Sequence, residues 1–175
     1  MESESEYMPA LKAVIKAMAP GQSPVVEERI LGRIACLTIR PDARSFGALI
    51  GSKGATYQAL KVIYGRLVME SFQFPDFEVS VTPPDSKERF RNEFRLNPSF
   101  TAGEIEKLVE SISNHLFTDG FGLTVSEMSP ELVAVQIESD GTEQEDRIME
   151  IEDALAKVFH AVGMTKGRKI KLAIS

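Results

Sequence analysis

The sequence is poor in several residue types that mark particular classes of protein. Its 175 residues include one cysteine, no tryptophan, 9 Pro and 12 Gly, which excludes a disulfide framework, a collagen-like repeat and a low-complexity chain. No apolar run approaches the roughly 18 residues of a membrane span, and the acidic residues 1–6 do not resemble a signal peptide. The lone Cys36 fits a reducing compartment. We therefore expect a cytoplasmic protein with no membrane contact.

Basic residues are not in excess either, but the charge is unevenly distributed. The net charge is −6, whereas proteins that hold nucleic acid by bulk attraction are usually basic. Residues 1–80 contain nine basic and nine acidic side chains, and three of these acids lie in the tail, residues 1–6. Residues 101–175 contain seven basic and fourteen acidic side chains. Contacts with a polyanion are therefore expected in the first half of the chain.

The composition is otherwise that of a globular protein, with 43% hydrophobic residues. Apolar spacing predicts a helix at 7–18, strands at 25–31 and 33–40, a short helix at 45–49 capped by Ser45, a longer helix at 55–70 and a strand at 77–81. Both faces of the second strand are largely apolar, so it should be the central strand. The element order is α-β-β-α-α-β, which predicts an α+β fold with helices on one face of a three-stranded sheet.

The same order recurs after a charged segment, which predicts an internal duplication. A helix at 102–117, strands at 122–128 and 132–137, another helix and a strand at 170–174 follow each other. We therefore divide the chain into a tail (1–6), a first unit (7–84), a linker (85–100) and a second unit (101–175). Thr142-Glu143-Gln144-Glu145 is typical of a capping box. No glycine interrupts the helix after it before Gly163, so the second unit should form one continuous helix there.

In the first unit, two helices are separated by Gly51-Ser52-Lys53-Gly54. Both glycines permit a positive φ and leave no Cβ to obstruct a close backbone approach. The next helix begins at Ala55, and the free amide groups and positive dipole end of such a terminus favour phosphate oxygens. Lys53 adds a cation and Ser52 a hydroxyl. The alternative interpretation is a plain turn between two helices, because Gly-x-x-Gly is a short and common pattern.

The surrounding segment, residues 46–63, has an apolar residue before Gly-x-x-Gly and an apolar helix after it, and resembles the signature of the K-homology (KH) RNA-binding family. With the element order, the resemblance covers about residues 7–82 and is closest to the type II arrangement of prokaryotic members. It implies a module that holds about four unpaired nucleotides. By that resemblance, residues 51–54 contact phosphates, and Ile50 and Ala48 line a groove with the strand 34–39. The second unit is then a degenerate KH-like repeat.

Several residues outside the loop have two interpretations. Arg40 and Arg44 either extend a phosphate track or are simply solvated. The linker arginines either contact RNA together with the phenylalanines between them, or lie on a solvated helix whose phenylalanines are buried; these residues are Arg89, Phe90, Arg91, Phe94 and Arg95. His115 and His160 have no partners at metal-ligand spacing, so we expect them to be structural or exposed.

The sequence contains no motif of an enzyme. We find no nucleophile–base pair, zinc spacing, Walker loop or dinucleotide fingerprint, and therefore expect neither catalysis nor a cofactor or metal. The expected partner is single-stranded RNA or single-stranded DNA. Because the family loop often carries more positive charge than the single Lys53 here, we expect weak binding. The second hypothesis is an assembly protein whose acidic second half docks a basic partner, with RNA binding weak or lost.

Overall fold

The computed structural model describes residues 4–73, 75–84, 100–141 and 144–175. Within these ranges the chain forms five α-helices and six strands, and the expected α+β class and element order are confirmed. The first half contains α1 Met8–Met18, β1 Val25–Leu31, β2 Ile34–Arg40, α2 Ala43–Ile50, α3 Ala55–Phe72 and β3 Phe77–Val81. The second half contains α4 Ala102–Leu116, β4 Phe121–Ser129, β5 Leu132–Ser139, α5 Glu145–Lys166 and β6 Lys169–Ile174.

Each half has one three-stranded sheet with the same topology. In the first half β2 is central, pairs antiparallel with β1 and pairs parallel with β3, so the prediction of a central second strand is confirmed. In the second half β5 takes the central place between β4 and β6 with the same two orientations. A parallel partner requires a crossover connection. Helices α2 and α3 form this crossover in the first half, and α5 alone forms it in the second.

The sheets are buried on the face that their helices cover. In β2 the side chains of Ala35, Leu37 and Ile39 are buried, while the residues between them are only half-buried. Val133 and Val135 of β5 follow the same alternation. This is the two-residue period of a strand with one covered face.

The helices of the two halves pack against each other. Helix α3 contacts α5 and α4, and α1 contacts the same two helices of the second half. The buried residues of both halves accordingly belong to one continuous hydrophobic core. A buried hydrogen bond also joins the halves, because the Thr165 hydroxyl on α5 donates to the Ala17 carbonyl oxygen on α1 at 2.7 Å. The contacts between halves therefore run through helices and not through the sheets.

A polar cluster around Glu28 connects three parts of the first half. The hydroxyl of Tyr64 on α3 donates to Glu28 Oε1 at 2.8 Å, and the hydroxyls of Tyr7 and Ser5 also donate to this carboxylate. Both tyrosine side chains are fully buried. Burial, followed by the hydrogen bond to Glu28, raises the pKa of Tyr7 and of Tyr64 above the usual value. The cluster therefore holds two buried phenols in their neutral form.

The N-terminal caps of α4 and α5 differ from those that the sequence analysis gave. Thr101 and Glu104 form a complete capping box at the start of α4, which the sequence analysis did not identify although its Thr-x-x-Glu spacing is the usual signal. For α5 the N-cap is Gln144, without a side-chain capping bond. Of the predicted box there, Thr142 and Glu143 lie outside the described residues. Helix α5 is continuous, as predicted, through Gly163 to Lys166.

Candidate nucleic-acid interface

The loop 51–54 breaks the helical path between α2 and α3. Helix α2 ends at Ile50, Ser52–Gly54 form a single 3₁₀ turn, and α3 begins at Ala55. Three backbone φ angles in the loop are positive: 75° at Gly51, 53° at Lys53 and 77° at Gly54. Ser52 and Lys53 are exposed, and both glycines are half-buried. The loop is thus an open turn at the molecular surface and not part of an unbroken helix.

The two glycines are required for different reasons. At Gly51 the angles φ 75° and ψ 176° lie in a region that essentially only glycine occupies. A Cβ there would also lie 2.2 Å from the hydroxyl oxygen of Thr56. At Gly54 no atom lies within 4 Å of an added Cβ, so only the left-handed conformation favours glycine. Position 51 is therefore the more strictly constrained end of the loop.

Internal hydrogen bonds fix the loop but leave two amides without a partner among the described residues. The Gly51 amide donates to the Gly47 carbonyl oxygen at 2.9 Å, and the Gly54 amide donates to the Gly51 carbonyl oxygen at 3.2 Å. The Ala55 amide donates to the carbonyl oxygen of Ser52. Among the described residues, no group accepts a hydrogen bond from the amide of Ser52 or of Lys53. Two adjacent N–H groups in an exposed turn are an anion-binding arrangement, and the positive end of the α3 dipole lies beside them.

The start of α2 is held by Asp42 and not by the predicted cap, Ser45. The Asp42 carboxylate accepts hydrogen bonds from the amides of Ser45 at 2.9 Å and Gln22 at 2.8 Å. Partial burial raises the pKa of Asp42, but these amide hydrogen bonds outweigh it and the pKa is lowered overall. Ser45 is the third residue of α2. It is fully buried, and its hydroxyl oxygen accepts a hydrogen bond from the Gly21 amide at 3.2 Å. The prediction for Ser45 was wrong because the side chain of Asp42, the extended residue just before the helix, caps α2 instead.

A groove of about 590 Å³ lies between the loop and helix α5 of the second half. One wall comes from Pro20 after α1, from α2, from the loop and from the start of α3, and the other comes from a single face of α5. Small side chains occupy much of both walls, while charged and polar groups lie among them. The lining residues are Pro20, Gly47, Ala48, Gly51, Ser52, Ala55, Thr56, Asp153, Ala156, Lys157, His160, Ala161, Met164 and Thr165.

The predicted site residues fall into two groups in the structure. Ala48, Gly51, Ser52 and Ala55 line the groove, and Lys53 and Gly54 complete the adjoining loop. Ile50 is half-buried and does not line this groove, and neither do residues 34–39 of β2. The wall opposite the loop is thus α5 and not the strand that the family resemblance implied.

The two predicted arginines do not line the groove. Arg40 at the end of β2 pairs with Glu27 on β1, with 2.8 Å between the guanidinium nitrogen and the carboxylate oxygen. The hydrogen bond and the charge of Arg40 lower the pKa of Glu27. Arg44 is in the first turn of α2, about 10 Å along the helix from Gly51 at the usual rise per residue. Lys53 therefore remains the cation of the loop itself.

Thr56, Lys157 and His160 are among the groove residues that the sequence analysis missed. Lys157 and His160 are exposed on α5, and Thr56 is buried at the start of α3 beneath Gly51. Lys157 forms an ion pair with Asp153, with 2.7 Å between nitrogen and oxygen. The spacing of Lys157 and His160 on α5 could be read from the sequence. The packing of α5 beside the loop, however, depends on contacts between residues about a hundred positions apart in the chain. No local pattern indicates such a contact.

Comparisons with known proteins do not assign the chain to a family. No protein-family model matches the chain, and no curated protein matches it. The interpretation as a KH-like unit consequently rests on the Gly-x-x-Gly pattern and on the element order. Among the residues that the structure describes, no helix has the length and apolar character needed to cross a membrane. The arginines and phenylalanines of the linker lie outside the described residues.

Proposed function

We propose that the chain binds single-stranded RNA, without catalysis, through the loop 51–54. The observation that carries this proposal is the pair of amides of Ser52 and Lys53, which have no partner in the described part of the chain and lie in an exposed turn at the start of α3. Phosphate oxygens are suitable acceptors for such groups, and a helix N-terminus adds favourable electrostatics. The Lys53 side chain is exposed and lies on the same turn. The loop thus supports phosphate binding from backbone, dipole and side chain together.

A single strand fits this site better than a duplex. The groove beside the loop is lined mostly by small apolar groups, which suit unpaired bases, whereas a duplex turns its bases inward. The KH resemblance supports the same choice of ligand. Comparing RNA with DNA of the same sequence will measure the contribution of the ribose 2′-hydroxyl.

We expect modest affinity and a shallow salt dependence. Lys53 is the one basic side chain of the loop, Arg40 is engaged by Glu27, and the second half is acidic. If about two phosphates are neutralised, the slope of log affinity against log salt is about −1.4 for a single strand. Affinity should then fall roughly sevenfold between about 50 and 200 mM salt. A steep slope would indicate bulk attraction elsewhere on the chain.

Fluorescence polarisation with short labelled RNAs tests the site directly. The Ser52→Asp/Lys53→Asp double variant places two carboxylates at the proposed phosphate position and should abolish binding without unfolding the protein. A matched control is Ser23→Asp/Lys107→Asp, which makes the same charge change at two exposed positions away from the groove. Unchanged affinity in the first variant would refute the site. Equal losses in both variants would show that only the overall charge matters.

The acidic surface of α5 favours a second candidate, binding of a basic protein. Glu145, Asp146 and Glu150 near the start of α5 are all exposed, so this end of the helix repels a polyanion. Under this alternative, RNA does not bind even at low salt, and size-exclusion chromatography reveals a dimer or a stable complex. RNA binding that is lost with the loop variant decides against it.

A further inference from the structure

We infer that helix α5 forms the second wall of the RNA site, and that one unpaired base enters the groove between α5 and the loop 51–54. The inference rests on the proposed function and names which part of the ligand the groove accepts. A volume of about 590 Å³ lies within the roughly 300–1,000 Å³ of small-molecule pockets, so the groove has room for a nucleobase and its ribose.

Thr56 supplies a polar group to the groove. Its side chain is only 8% exposed and lines the groove, and among the described residues no group forms a hydrogen bond with its hydroxyl. The hydroxyl oxygen is not one of the fully buried atoms without a partner, so it stays open to the groove. The edge of a nucleobase carries both donors and acceptors, so an inserted base can form a hydrogen bond with it.

Gly47 indicates that the groove is kept open. It lies inside helix α2, where glycine is less favourable than alanine, and it lines the groove. Nothing lies within 4 Å of a Cβ added at this position, so packing does not require glycine. The missing side chain does, however, leave space in the groove. Helix stability favours alanine here, whereas an entering ligand favours glycine.

The charges at the two rims fit a strand that crosses the groove. The loop with Lys53, whose Ser52 and Lys53 amides have no partner among the described residues, adjoins one wall, and Lys157 with His160 lies on the other. Asp153 pairs with Lys157, but both side chains are largely exposed, and ion pairs of this kind are weak. A phosphate can therefore replace Asp153 as the partner of Lys157. A purely apolar occupant, such as a helix of another protein, would leave the cations at both rims unused.

Photocrosslinking of the full chain tests where the base lies. RNA containing 4-thiouridine is irradiated with the protein, and the crosslinked peptides are identified by mass spectrometry. We expect crosslinks to α5, near His160 and Met164, as well as to the residues around the loop. Crosslinks that include the loop but never α5 would overturn the inference while leaving the proposed function intact.

Two substitutions test the groove without altering the loop. Ala161→Phe fills the groove from the α5 side and should weaken RNA binding roughly tenfold or more, the range seen when base stacking is lost. Its control is Ala13→Phe, a half-exposed alanine of α1 outside the groove. Thr56→Val keeps the side-chain shape but removes the hydroxyl, and should weaken binding about fivefold. Asp153→Asn frees Lys157 and should strengthen binding.

The outcomes separate this inference from the proposed function. If Ser52→Asp/Lys53→Asp abolishes binding while Ala161→Phe and Thr56→Val bind as the unaltered chain does, the loop binds RNA and the groove does not. If the loop variant retains full affinity, the proposed function fails, and the inference fails with it. Urea unfolding of each variant confirms that any lost affinity reflects the site and not a loss of folded protein.

Discussion

The two halves build the same sheet but cross between its parallel strands in different ways. From β2 to β3 the chain passes through α2, the loop 51–54 and α3, whereas from β5 to β6 it passes through the single helix α5. Strand order and orientation are otherwise equal. The second half therefore shows that this topology forms without an interrupted helix. The loop of the first half is not required by the path of the chain.

The interruption also has an unfavourable local conformation. Lys53 is a non-glycine residue with φ 53°, which is unfavourable by roughly 1–2 kcal/mol for an ordinary side chain. The loop forms only three short-range backbone bonds, while α5 continues for 22 residues to Lys166 and is capped by Gly167 in the left-handed conformation. Strained backbone that the fold does not need is typical of functional sites. The comparison between halves is thus an argument for ligand binding at the loop.

The largest effect that we predict within this comparison is at Gly51. Gly51→Ala should lower the free energy of unfolding by about 2–4 kcal/mol, because it combines a forbidden backbone conformation with a 2.2 Å contact to Thr56. Gly54→Ala, which meets no atom within 4 Å, should lower it by only about 1–2 kcal/mol. Urea unfolding measures both. Equal losses at the two positions would mean that the contact with Thr56 adds nothing to the cost of the positive φ.

The strands and helices of both halves were largely predictable, because they follow short-range periods. The strand bounds 25–31 and 77–81 agree with the structure, since Pro24 and Gly32 bound the first strand and apolar residues alternate in the second. The cap of α2 was not predicted correctly. Asp42 and Ser45 are both suitable caps, and only the backbone angles and the Gln22 amide decide between them.

The loop could be located from the sequence, but its surroundings could not. Two glycines two residues apart between helical segments indicate a turn, and the following helix indicates where phosphate can bind. Which element faces that turn depends on the packing of α3 against α5. Other amphipathic helices could pack there equally well, so the sequence does not identify α5 as the opposite wall. The opposing wall with Lys157 and His160 became visible only in three dimensions.

High pH should expose a second difference, because the Glu28 cluster belongs to the first half alone among the described residues. The folded-state pKa of Tyr7 and Tyr64 is raised above 10.0, so their contribution is complete below pH 10 and is lost as the pH rises further. Stability should fall by up to about 1.4 kcal/mol per pH unit for each tyrosine.

The test of this prediction is urea unfolding at several values of pH above 9. Tyr7→Phe/Tyr64→Phe should flatten the fall in stability, although it lowers stability at neutral pH by removing two hydrogen bonds to Glu28. The control is Tyr57→Phe, whose hydroxyl donates to the Val79 carbonyl oxygen and lies outside the cluster. The same slope in the double variant and the unaltered chain would assign the alkaline loss to other groups.

A third prediction concerns the hydrogen bond between halves. Thr165→Val should lower the free energy of unfolding by about 1–2 kcal/mol, because the buried Ala17 carbonyl oxygen loses its hydroxyl donor. Thr56→Val removes a hydroxyl that has no partner among the described residues and is open to the groove, so its stability should change by less than about 0.5 kcal/mol. A loss at Thr56 as large as that at Thr165 would mean that the Thr56 hydroxyl is bonded within the protein.

The smallest predicted effect is at Gly47, where the stability of α2 and the open groove favour different residues. If the first half keeps its groove open at the expense of helix stability, Gly47→Ala should raise the free energy of unfolding by about 0.5–1 kcal/mol, since a Cβ there meets nothing. Gly47→Leu should keep a folded protein but reduce RNA binding, because the longer side chain enters the groove. Urea unfolding and fluorescence polarisation separate the two effects. A gain of stability on Gly47→Ala together with a loss of affinity on Gly47→Leu would identify α2 as a helix adapted to a ligand. A loss of stability on Gly47→Ala would instead mean that folding requires this glycine.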